Sequence, residues 1–486
     1  MRKVIMACLS LISGGGSSVW AQTSSDPSTR WNELTTLPFE GGYPSTDAGN
    51  KLRSELQFQH AVQTYLWALP AMSLYAMRQA QEKQFGTGAN VMAIWKDRLD
   101  AKTVVLTGNP DAIYAFAWLD LKRDGPTVVE APSKIQGLMD DMWHRPLADI
   151  GFAGPDKGRG GKYLVLPPDY KGKMPSGYYV LKSPTYGVYV FWRGFLENGK
   201  TGPGVGLIEK TRIYPLAHKD NPPAMKFPNA SRVPMNMLFP TDATYFDNLA
   251  KFLDAESVAP EHFAMRGMAA DIGIIKGKPF SPDAQARATL DQAARVAYRM
   301  AGAVSYDFQS EPLIWPDRAY RSSLGGGSPI FHADTYADLL GYVGYFHKAY
   351  GTSAGMFVSM PGKGAQYIGV QQDPSGGWLM GNNTYHIHVP ANVPVENYWS
   401  FVIYDAETRS LLDNGQLFPS VASNDNLKLN PDGSADLYFG PERPNGALNW
   451  IRTVSGRGWF GGFRFNSPTQ AYFDKKWKPG DIEKVN

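Results

Sequence analysis

The spacing of apolar positions changes three times along the chain. Between residues 52 and 83, apolar side chains recur every three or four positions, which predicts a helix that Pro70 kinks or splits. Between residues 103 and 195, short β-branched or aromatic runs are separated by Gly, Pro, Asp or Asn, a pattern typical of antiparallel strands. The first part of the chain is therefore predicted to be a helix followed by a strand-rich domain.

Helical spacing returns in the middle of the chain in three segments, 241–257, 281–304 and 334–351. From residue 384 onward the apolar positions again alternate with a period of two. In the run YWSFVIYD this alternation places Trp399 and Phe401 on one face and Tyr404 on the other. A second strand-rich domain is therefore expected at the C-terminal end, separated from the first by helices.

These patterns together predict an α+β chain that is mainly β, with two antiparallel sandwich domains and a helical connector. The predicted divisions are a signal peptide at 1–21, an extended arm at 22–50, an N-terminal sandwich with its leading helix at 51–215, a helix-rich connector at 216–360 and a C-terminal sandwich at 361–486. A chain of 486 residues is long enough for such a division.

The N-terminus has the features of a secretory signal peptide. Arg2 and Lys3 precede a short apolar run at 4–12, and a small-residue cleavage site ends at Ala21. The single cysteine, Cys8, lies inside this segment, so the mature chain uses neither disulfides nor thiolate chemistry. We therefore expect a periplasmic or secreted protein, cleaved after Ala21, with no transmembrane segment.

Charge and composition limit the classes of molecule that the protein is expected to bind. Without Arg2 and Lys3 the 48 basic residues become 46, against 45 acidic ones, and this balance offers no polycationic face for nucleic acid. A 13% aromatic content, with 50 Gly and 36 Pro, agrees with many short strands and turns. Phosphate-binding, dinucleotide-binding and HExxH motifs are all incomplete or missing, so no cofactor is expected.

Two local motifs suggest specific chemistry, a metal site and a catalytic serine. His386 and His388 leave the same face of a predicted strand, which suits either two ligands of a metal or two ordinary polar positions. The sequence places no third ligand, so we expect no metal. Ser353 lies in a G-x-S-x-G motif with Asp373 and His386 downstream, but a helix precedes it where a nucleophile elbow requires a strand. We interpret that motif as the end of a helix.

The carboxylates give a further set of candidates. Asp140 and Asp141 are expected on the surface of a helix or loop. Asp120, in FAWLDL, has apolar neighbours, so it needs an arginine or backbone partner, or it serves as an acid or base. Four tryptophans fit either a sugar-stacking platform or ordinary core packing: Trp118, Trp192, Trp399 and Trp450.

Longer blocks of sequence resemble a known pair of families. The block NPDAIYAFAWLDLKRDGPTVVEAP, 109–132, resembles the core of the bacterial family called domain of unknown function 1254, although Ala112 stands where threonine is usual. The block 179–194 is similar to its closing strands and places Arg193 on the usual arginine. The block 362–405 resembles the partner family, domain of unknown function 1214. The positions that fall on the first pattern are Asn109, Asp111, Tyr114, Asp120 and Pro132.

The resemblance implies two jelly-roll-like β-sandwiches in a largely uncharacterised family, similar in architecture to the peptide N-glycosidases. It implies no firm activity. The first hypothesis is an exported hydrolase that acts on a glycan, an amide or another small substrate in a cleft between the sandwiches. In that hypothesis Asp120 is the acid or base and His388 its complement, while Arg193 anchors an anion. The remaining candidates are Tyr114 for catalysis and Asn109, Asp111, Tyr367, Trp399 and Tyr404 for substrate binding. The alternative is a non-catalytic carbohydrate-binding or envelope assembly protein that forms homo-oligomers.

Overall fold

The computed structural model describes residues 28–306, 313–322 and 327–485. They divide into two units, with the boundary between Gln57 and Phe58. The first unit contains α1 (Ser28–Thr35), β1 (Phe39–Glu40), β2 (Tyr43–Pro44) and the start of α2 (Thr46–Trp67). The predicted signal peptide lies outside the described residues.

The segment predicted to be an extended arm is instead folded where the structure describes it. Its strands β1 and β2 form an antiparallel hairpin, whose turn is made by Gly41 and Gly42 with φ values of 58° and 90°. Two consecutive left-handed positions suit glycine and match the twist of a hairpin. The turn residues that suggested an arm therefore specify a hairpin between two helices.

Pro70 separates two helices, as the sequence predicted. Helix α2 ends at Trp67, and α3 (Leu69–Phe85) begins with Pro70 in its first turn, where the missing N–H has no helical partner to lose. Helix α3 buries side chains along its first two turns, including Leu69, Met72 and Leu74. These side chains join the central cluster described below.

The N-terminal sandwich packs a five-stranded sheet, β3-β5-β11-β7-β8, on a four-stranded sheet, β10-β9-β6-β12. Its elements are β3 (Ala93–Ile94), β4 (Thr103–Val104), β5 (Ile113–Asp120), α4 (Leu121–Asp124), β6 (Thr127–Ala131), β7 (Gln136–Asp141), β8 (Pro146–Ile150), β9 (Gly161–Leu166), β10 (Tyr179–Lys182), β11 (Gly187–Gly194), α5 (Gly202–Ile208) and β12 (Arg212–Pro215). Alternate residues of the facing strands, such as Val129, Val165 and Val190, form its core.

Among the described residues of the middle of the chain, helices occur in the three segments predicted and in two more, Phe263–Asp271 and Ala354–Phe357. The elements are β13 (Met235–Asn236), α6 (Thr244–Ala255), α7 (Phe263–Asp271), α8 (Ala284–Tyr306), β14 (Arg321–Ser322), α9 (Leu339–Lys348) and α10 (Ala354–Phe357), with short 3-10 turns at Leu216–His218 and Pro260–His262. Strand β13 pairs with β4 rather than with its sequence neighbours.

The C-terminal sandwich repeats the same division, with sheets β14-β15-β21-β17-β18 and β20-β19-β16-β22. Its elements are β15 (Ala365–Val370), β16 (Thr384–Val389), β17 (Val395–Asp405), β18 (Ser420–Ala422), β19 (Ala435–Gly440), β20 (Asn449–Arg452), β21 (Trp459–Pro468), α11 (Gln470–Phe473) and β22 (Glu483–Val485). Its core lies between the two sheets and contains Ile387, Phe401 and Phe463.

The inner strands of both five-stranded sheets, such as β5, β11 and β17, are buried on both faces along most of their length. In β17, Phe401 and Ile403 enter the C-terminal core, whereas Val402 and Tyr404 belong to a central cluster. This central cluster consists of buried side chains from α2, α3, α6, α8 and α9 together with the outer faces of the two five-stranded sheets. The predicted alternation along β17 is therefore confirmed, and the fold is the predicted sheet-rich α+β arrangement.

In the part of the chain that the structure describes, most strand pairs are antiparallel and three are parallel: β9 with β10, β19 with β20 and β4 with β13. A parallel pair needs a crossover between its strands, and the Pro- and Gly-rich segments 167–178 and 441–448 provide two of them. Among the described residues, no helix combines the length and the apolar character needed to cross a bilayer.

Candidate functional site

A cavity of about 580 Å³ lies where the outer faces of the two five-stranded sheets meet α9. Both sandwiches contribute to its wall, and its volume falls within the range of small-molecule sites. Eight of its aromatic and cationic lining residues are Tyr114, Phe191, Arg193, Tyr345, Tyr350, Tyr367, Tyr404 and Arg464.

The alternation of side chains along β5 and β11 places the part of the lining that comes from the N-terminal sandwich. In β11, Val190 and Trp192 enter the core of the N-terminal sandwich, so Phe191 and Arg193 point away from it. Arg193 lies opposite Tyr114 in the antiparallel pairing of β11 with β5. Both side chains therefore reach the cavity from the same sheet face.

The C-terminal part follows the same rule. In β21, Phe463 and Phe465 enter the core of the C-terminal sandwich, and Arg464 between them faces the cavity. Arg464 lies opposite Tyr367 of β15, and its guanidinium carbon is 5.1 Å from the centre of the Tyr367 ring. Tyr404 reaches the same cavity from β17.

Arg193 is nearly buried, at 7% exposure, and has weak partners. Its Nη2 contacts Sδ of Met356 at 3.9 Å, and its guanidinium carbon lies 5.0 Å from the ring centre of Phe191. No carboxylate of the described residues lies within ion-pairing distance, and Nε has no hydrogen-bond partner among them. Burial acts to lower the pKa of Arg193, but the phenols of Tyr367 and Tyr114 raise it, so the group stays charged.

Arg464 also lacks a carboxylate partner among the described residues. Its Nε and Nη2 donate to the hydroxyl of Tyr404 at 3.0 and 2.7 Å, and Nη2 donates to the carbonyl of Thr107. These acceptors are neutral. Burial acts to lower the pKa of Arg464, but the phenols of Tyr404 and Tyr114 raise it above its ordinary value. Arg193 and Arg464 are therefore two of the five basic side chains that line the cavity.

The phenols around these charges are hydrogen-bond donors at neutral pH. Burial raises the pKa of Tyr114, Tyr350 and Tyr404. The hydroxyl of Tyr404 donates to the carbonyl of Gly108 at 3.1 Å. The buried hydroxyl of Tyr350 has no partner among the described residues.

The carboxylates that line the cavity bind partners other than Arg193 and Arg464. Asp317 pairs with Lys478 at 2.6 Å, and Asp373 accepts hydrogen bonds from the backbone of its own loop. Asp481 accepts from the backbone N–H of Ala319 at 3.1 Å. None of them compensates Arg193 or Arg464 at ion-pairing distance among the described residues.

Four of the nine site residues suggested by the sequence line this cavity: Tyr114, Arg193, Tyr367 and Tyr404. The other five lie elsewhere. Asp120 caps α4 by accepting from the backbone N–H of Arg123 at 3.1 Å, and it lies 3.7 Å from Arg78. Trp399 is buried in the core of the C-terminal sandwich, at 5% exposure.

Asn109 and Asp111 join the two sandwiches. Asp111 is fully buried, pairs with Arg98 at 2.8 Å and accepts from the hydroxyl of Ser420 at 2.9 Å. Asn109 donates from Nδ2 to the hydroxyl of Tyr398 at 3.3 Å. The contacts with Ser420 and Tyr398 cross from the N-terminal to the C-terminal sandwich, whereas the pair with Arg98 lies within the N-terminal part of the chain. Neither Asn109 nor Asp111 lines the cavity.

His386 and His388 share one face of β16, and that face is the outer one. Nε2 of His386 and Nδ1 of His388 each lie 2.9 Å from Oδ1 of Asp436. An ionised carboxylate only accepts, so both ring nitrogens donate to it. No group of three or more metal-ligating side chains in the described residues could hold a metal. The G-x-S-x-G motif also forms no triad, since His386 contacts Asp436.

Asp140 and Asp141 were expected at a surface, and both are fully buried at the end of β7. Asp140 accepts from the backbone N–H of Thr352 at 3.1 Å, and Nδ1 of His144 accepts from the backbone N–H of Gly351 at 3.1 Å. Burial lowers the pKa of His144 to about 3, so this ring is neutral. These contacts hold the segment that follows α9 and carries Tyr350.

The tryptophan platform does not form from the residues proposed, because Trp118, Trp192 and Trp399 are at most 5% exposed. The sequence reasoning also missed Arg464 and Tyr350. Alternation in WFGGFRF could have placed Arg464 opposite its apolar neighbours, but nothing local marked Tyr350.

Comparison with known proteins identifies the two halves of the chain. Residues 89–215 match the protein of unknown function DUF1254, and residues 364–470 match the protein of unknown function DUF1214. No curated protein matches the chain.

Two solved structures are similar to the chain. The VPA0106 protein from Vibrio parahaemolyticus is 16% identical over 88% of this chain and 100% of its own, with a TM-score of 0.52, which shows a shared fold. An uncharacterized protein from Burkholderia cenocepacia is 13% identical over 88% of this chain and 94% of its own, with a TM-score of 0.42. The chain thus contains a DUF1254 domain followed by a DUF1214 domain, both of unknown function, as its motifs predicted.

Proposed function

We propose that the protein binds a small organic molecule in the cavity between its two sandwiches. The observation that carries this proposal is a volume of about 580 Å³ whose wall combines aromatic rings with a few polar groups. Such a lining is typical of ligand sites, because apolar surface supplies affinity and polar groups fix orientation. The signal peptide predicted at 1–21 would place this binding in the periplasm or outside the cell.

Hydrolysis of a glycan, an amide or another small substrate would be the enzymatic form of this function. Asp120 and His388 lie outside the cavity, so the lining phenols and guanidiniums would have to do the chemistry. Phenols with raised pKa values, such as Tyr114 and Tyr350, suit donation to a developing oxyanion rather than proton abstraction. Binding is therefore the primary proposal, and catalysis would need a base supplied by water or by the substrate.

A neutral fluorescent probe tests the proposal without assuming the ligand. N-phenyl-1-naphthylamine has an apolar body that fluoresces when it leaves water. We expect it to bind the wild-type protein at one saturable site. Ala349 lines the cavity, so Ala349→Trp should fill the space and abolish the fluorescence increase.

Ala288, exposed on α8, provides the matched control, and Ala288→Trp should leave probe binding unchanged. Equal probe fluorescence for the two tryptophan variants would place the binding outside the cavity. Absence of saturable binding to the wild-type protein would also overturn the proposal.

A further inference from the structure

We propose that the ligand of this cavity is an organic carboxylate with an aromatic or otherwise apolar body, bound through the guanidinium of Arg193 with Arg464 beside it. This inference rests on the proposed function, since it names the class of ligand for the same cavity. It is carried by the contrast between two arginines that are buried to the same degree.

The two arginines are Arg98 and Arg193, at 6% and 7% exposure. Arg98 is fully compensated: it pairs with Asp111 at 2.8 Å and with Asp425 at 2.6 Å, and its Nε donates to the carbonyl of Pro110. Arg193 instead has a thioether, aromatic faces, the phenol of Tyr114 and an unpartnered Nε, and the charge of Asp149 acts on it only from beyond ion-pairing distance. A charge taken out of water without a counter-charge is unfavourable, so proteins normally provide one. The cavity beside Arg193 is where a ligand would provide it.

A second buried arginine adds positive charge at the cavity. Arg464 lines the same cavity and donates only to the hydroxyl of Tyr404 and the carbonyl of Thr107. The rim carboxylates Asp317 and Asp481 are occupied by other partners. The lining contains five basic side chains against three carboxylates, so its net charge is positive and an anion would be attracted into it.

The other residues that line the cavity favour an anion with an apolar body. A planar carboxylate accepts charge-assisted hydrogen bonds from a guanidinium, and Arg193 reaches the cavity without an ion-pair partner among the described residues. Tyr350 also lines the cavity, and its hydroxyl, buried in this structure, has no partner among the described residues. The rings of Phe191 and Tyr367 offer apolar faces to the rest of the molecule.

Competition between two matched compounds tests whether the negative charge of the ligand contributes to binding. 1-Naphthoate and 1-naphthamide have nearly the same shape, and only the first is an anion. Each would be titrated against N-phenyl-1-naphthylamine bound to the protein. We expect 1-naphthoate to displace the probe at a concentration at least about tenfold lower than 1-naphthamide, because a charge-assisted hydrogen bond exceeds a neutral one by this much.

Substitution of Arg193 should remove the preference for the anion. In Arg193→Met the two compounds should displace the probe at about the same concentration, while the probe itself still binds. Arg212 is exposed on β12, so Arg212→Met, with the same change in net charge, should keep the wild-type preference.

Thermal melting without ligand separates a binding arginine from a structural one. Arg193→Met should melt at the wild-type temperature or higher, since an uncompensated charge is removed. Arg98→Met should melt lower, since it leaves Asp111 buried without its partner. A large drop in melting temperature for Arg193→Met would contradict the inference.

The outcomes also distinguish this inference from the proposed function. Equal potency of the two naphthalene compounds, or failure of both to displace a bound probe, would overturn the carboxylate assignment and leave the cavity as a binding site. Failure of the probe to bind at all would overturn the proposed function itself.

Discussion

Asp111 and Arg98 form a buried ion pair in the N-terminal part of the chain, and each of them also binds a residue of the C-terminal sandwich: Asp111 accepts from Ser420, and Arg98 pairs with Asp425. Asp111 is fully buried and holds two partners, Nη2 of Arg98 at 2.8 Å and the hydroxyl of Ser420 at 2.9 Å. The substitution Asp111→Asn keeps the volume and removes the charge. Breaking one partner of a buried pair costs about 3–5 kcal/mol. Because Arg98 keeps its second pair, with Asp425 at 2.6 Å, we expect the lower end, about 3 kcal/mol.

Urea denaturation at pH 7 measures this loss as a fall in the free energy of unfolding. Asp425 provides the matched control, because it binds the same guanidinium but its side chain is 25% exposed. Asp425→Asn should cost about 1 kcal/mol or less, as for a partly solvated pair. A loss for Asp111→Asn that is no larger than the loss for Asp425→Asn would refute this reasoning.

Two histidine environments predict a loss of stability in acid, in two different pH ranges. Hydrogen bonds from His388, Asn430 and His386 overcome the effect of burial and hold the pKa of Asp436 at about 2, below its ordinary 3.8. Its ionised form therefore stabilises the fold above pH 4, and the deficit of Asp436→Asn, seen in urea unfolding, should vanish as the pH falls toward 2. Burial lowers the pKa of His262 from 6.5 to about 4, so the wild-type protein should lose stability relative to His262→Phe as the pH falls from 6.5 to 4; parallel stability curves would contradict this.

The strand patterns explain which parts of the structure follow from the sequence. Alternation in β17 assigned Phe401 and Tyr404 to opposite faces, and the structure places them in different clusters. The same rule placed His386 and His388 on one face of β16. Alternation alone does not say which face meets water, and for β16 it is the histidine face.

Strand geometry also shows why the predicted acid and base are not at the cavity. Tyr114 and Asp120 stand near opposite ends of β5, six residues apart, so their Cα atoms are separated by roughly 20 Å. A single small-molecule site cannot hold both side chains. Both residues belong to one sequence motif because they lie on the same strand, β5. The first part of this strand lines the cavity, and its last residue caps α4.

The burial of Asp140 and the position of Arg464 depend on contacts distant in sequence. Asp140 is covered by the backbone at Thr352, 212 residues away. Arg464 meets Tyr367 only through the register of β15 with β21, almost a hundred residues apart. Composition and spacing within one element carry no information on such pairings, which are fixed by the packing of both sandwiches around α9.

A crystal structure of the protein with 4-iodobenzoate tests the central claim most directly, since the anomalous signal of iodine locates the compound without bias. We expect one iodine peak inside the cavity, with the carboxylate against Arg193 and the ring between the aromatic side chains. A cavity without iodine signal, in crystals saturated with the compound, would contradict the claim that this space binds an organic anion.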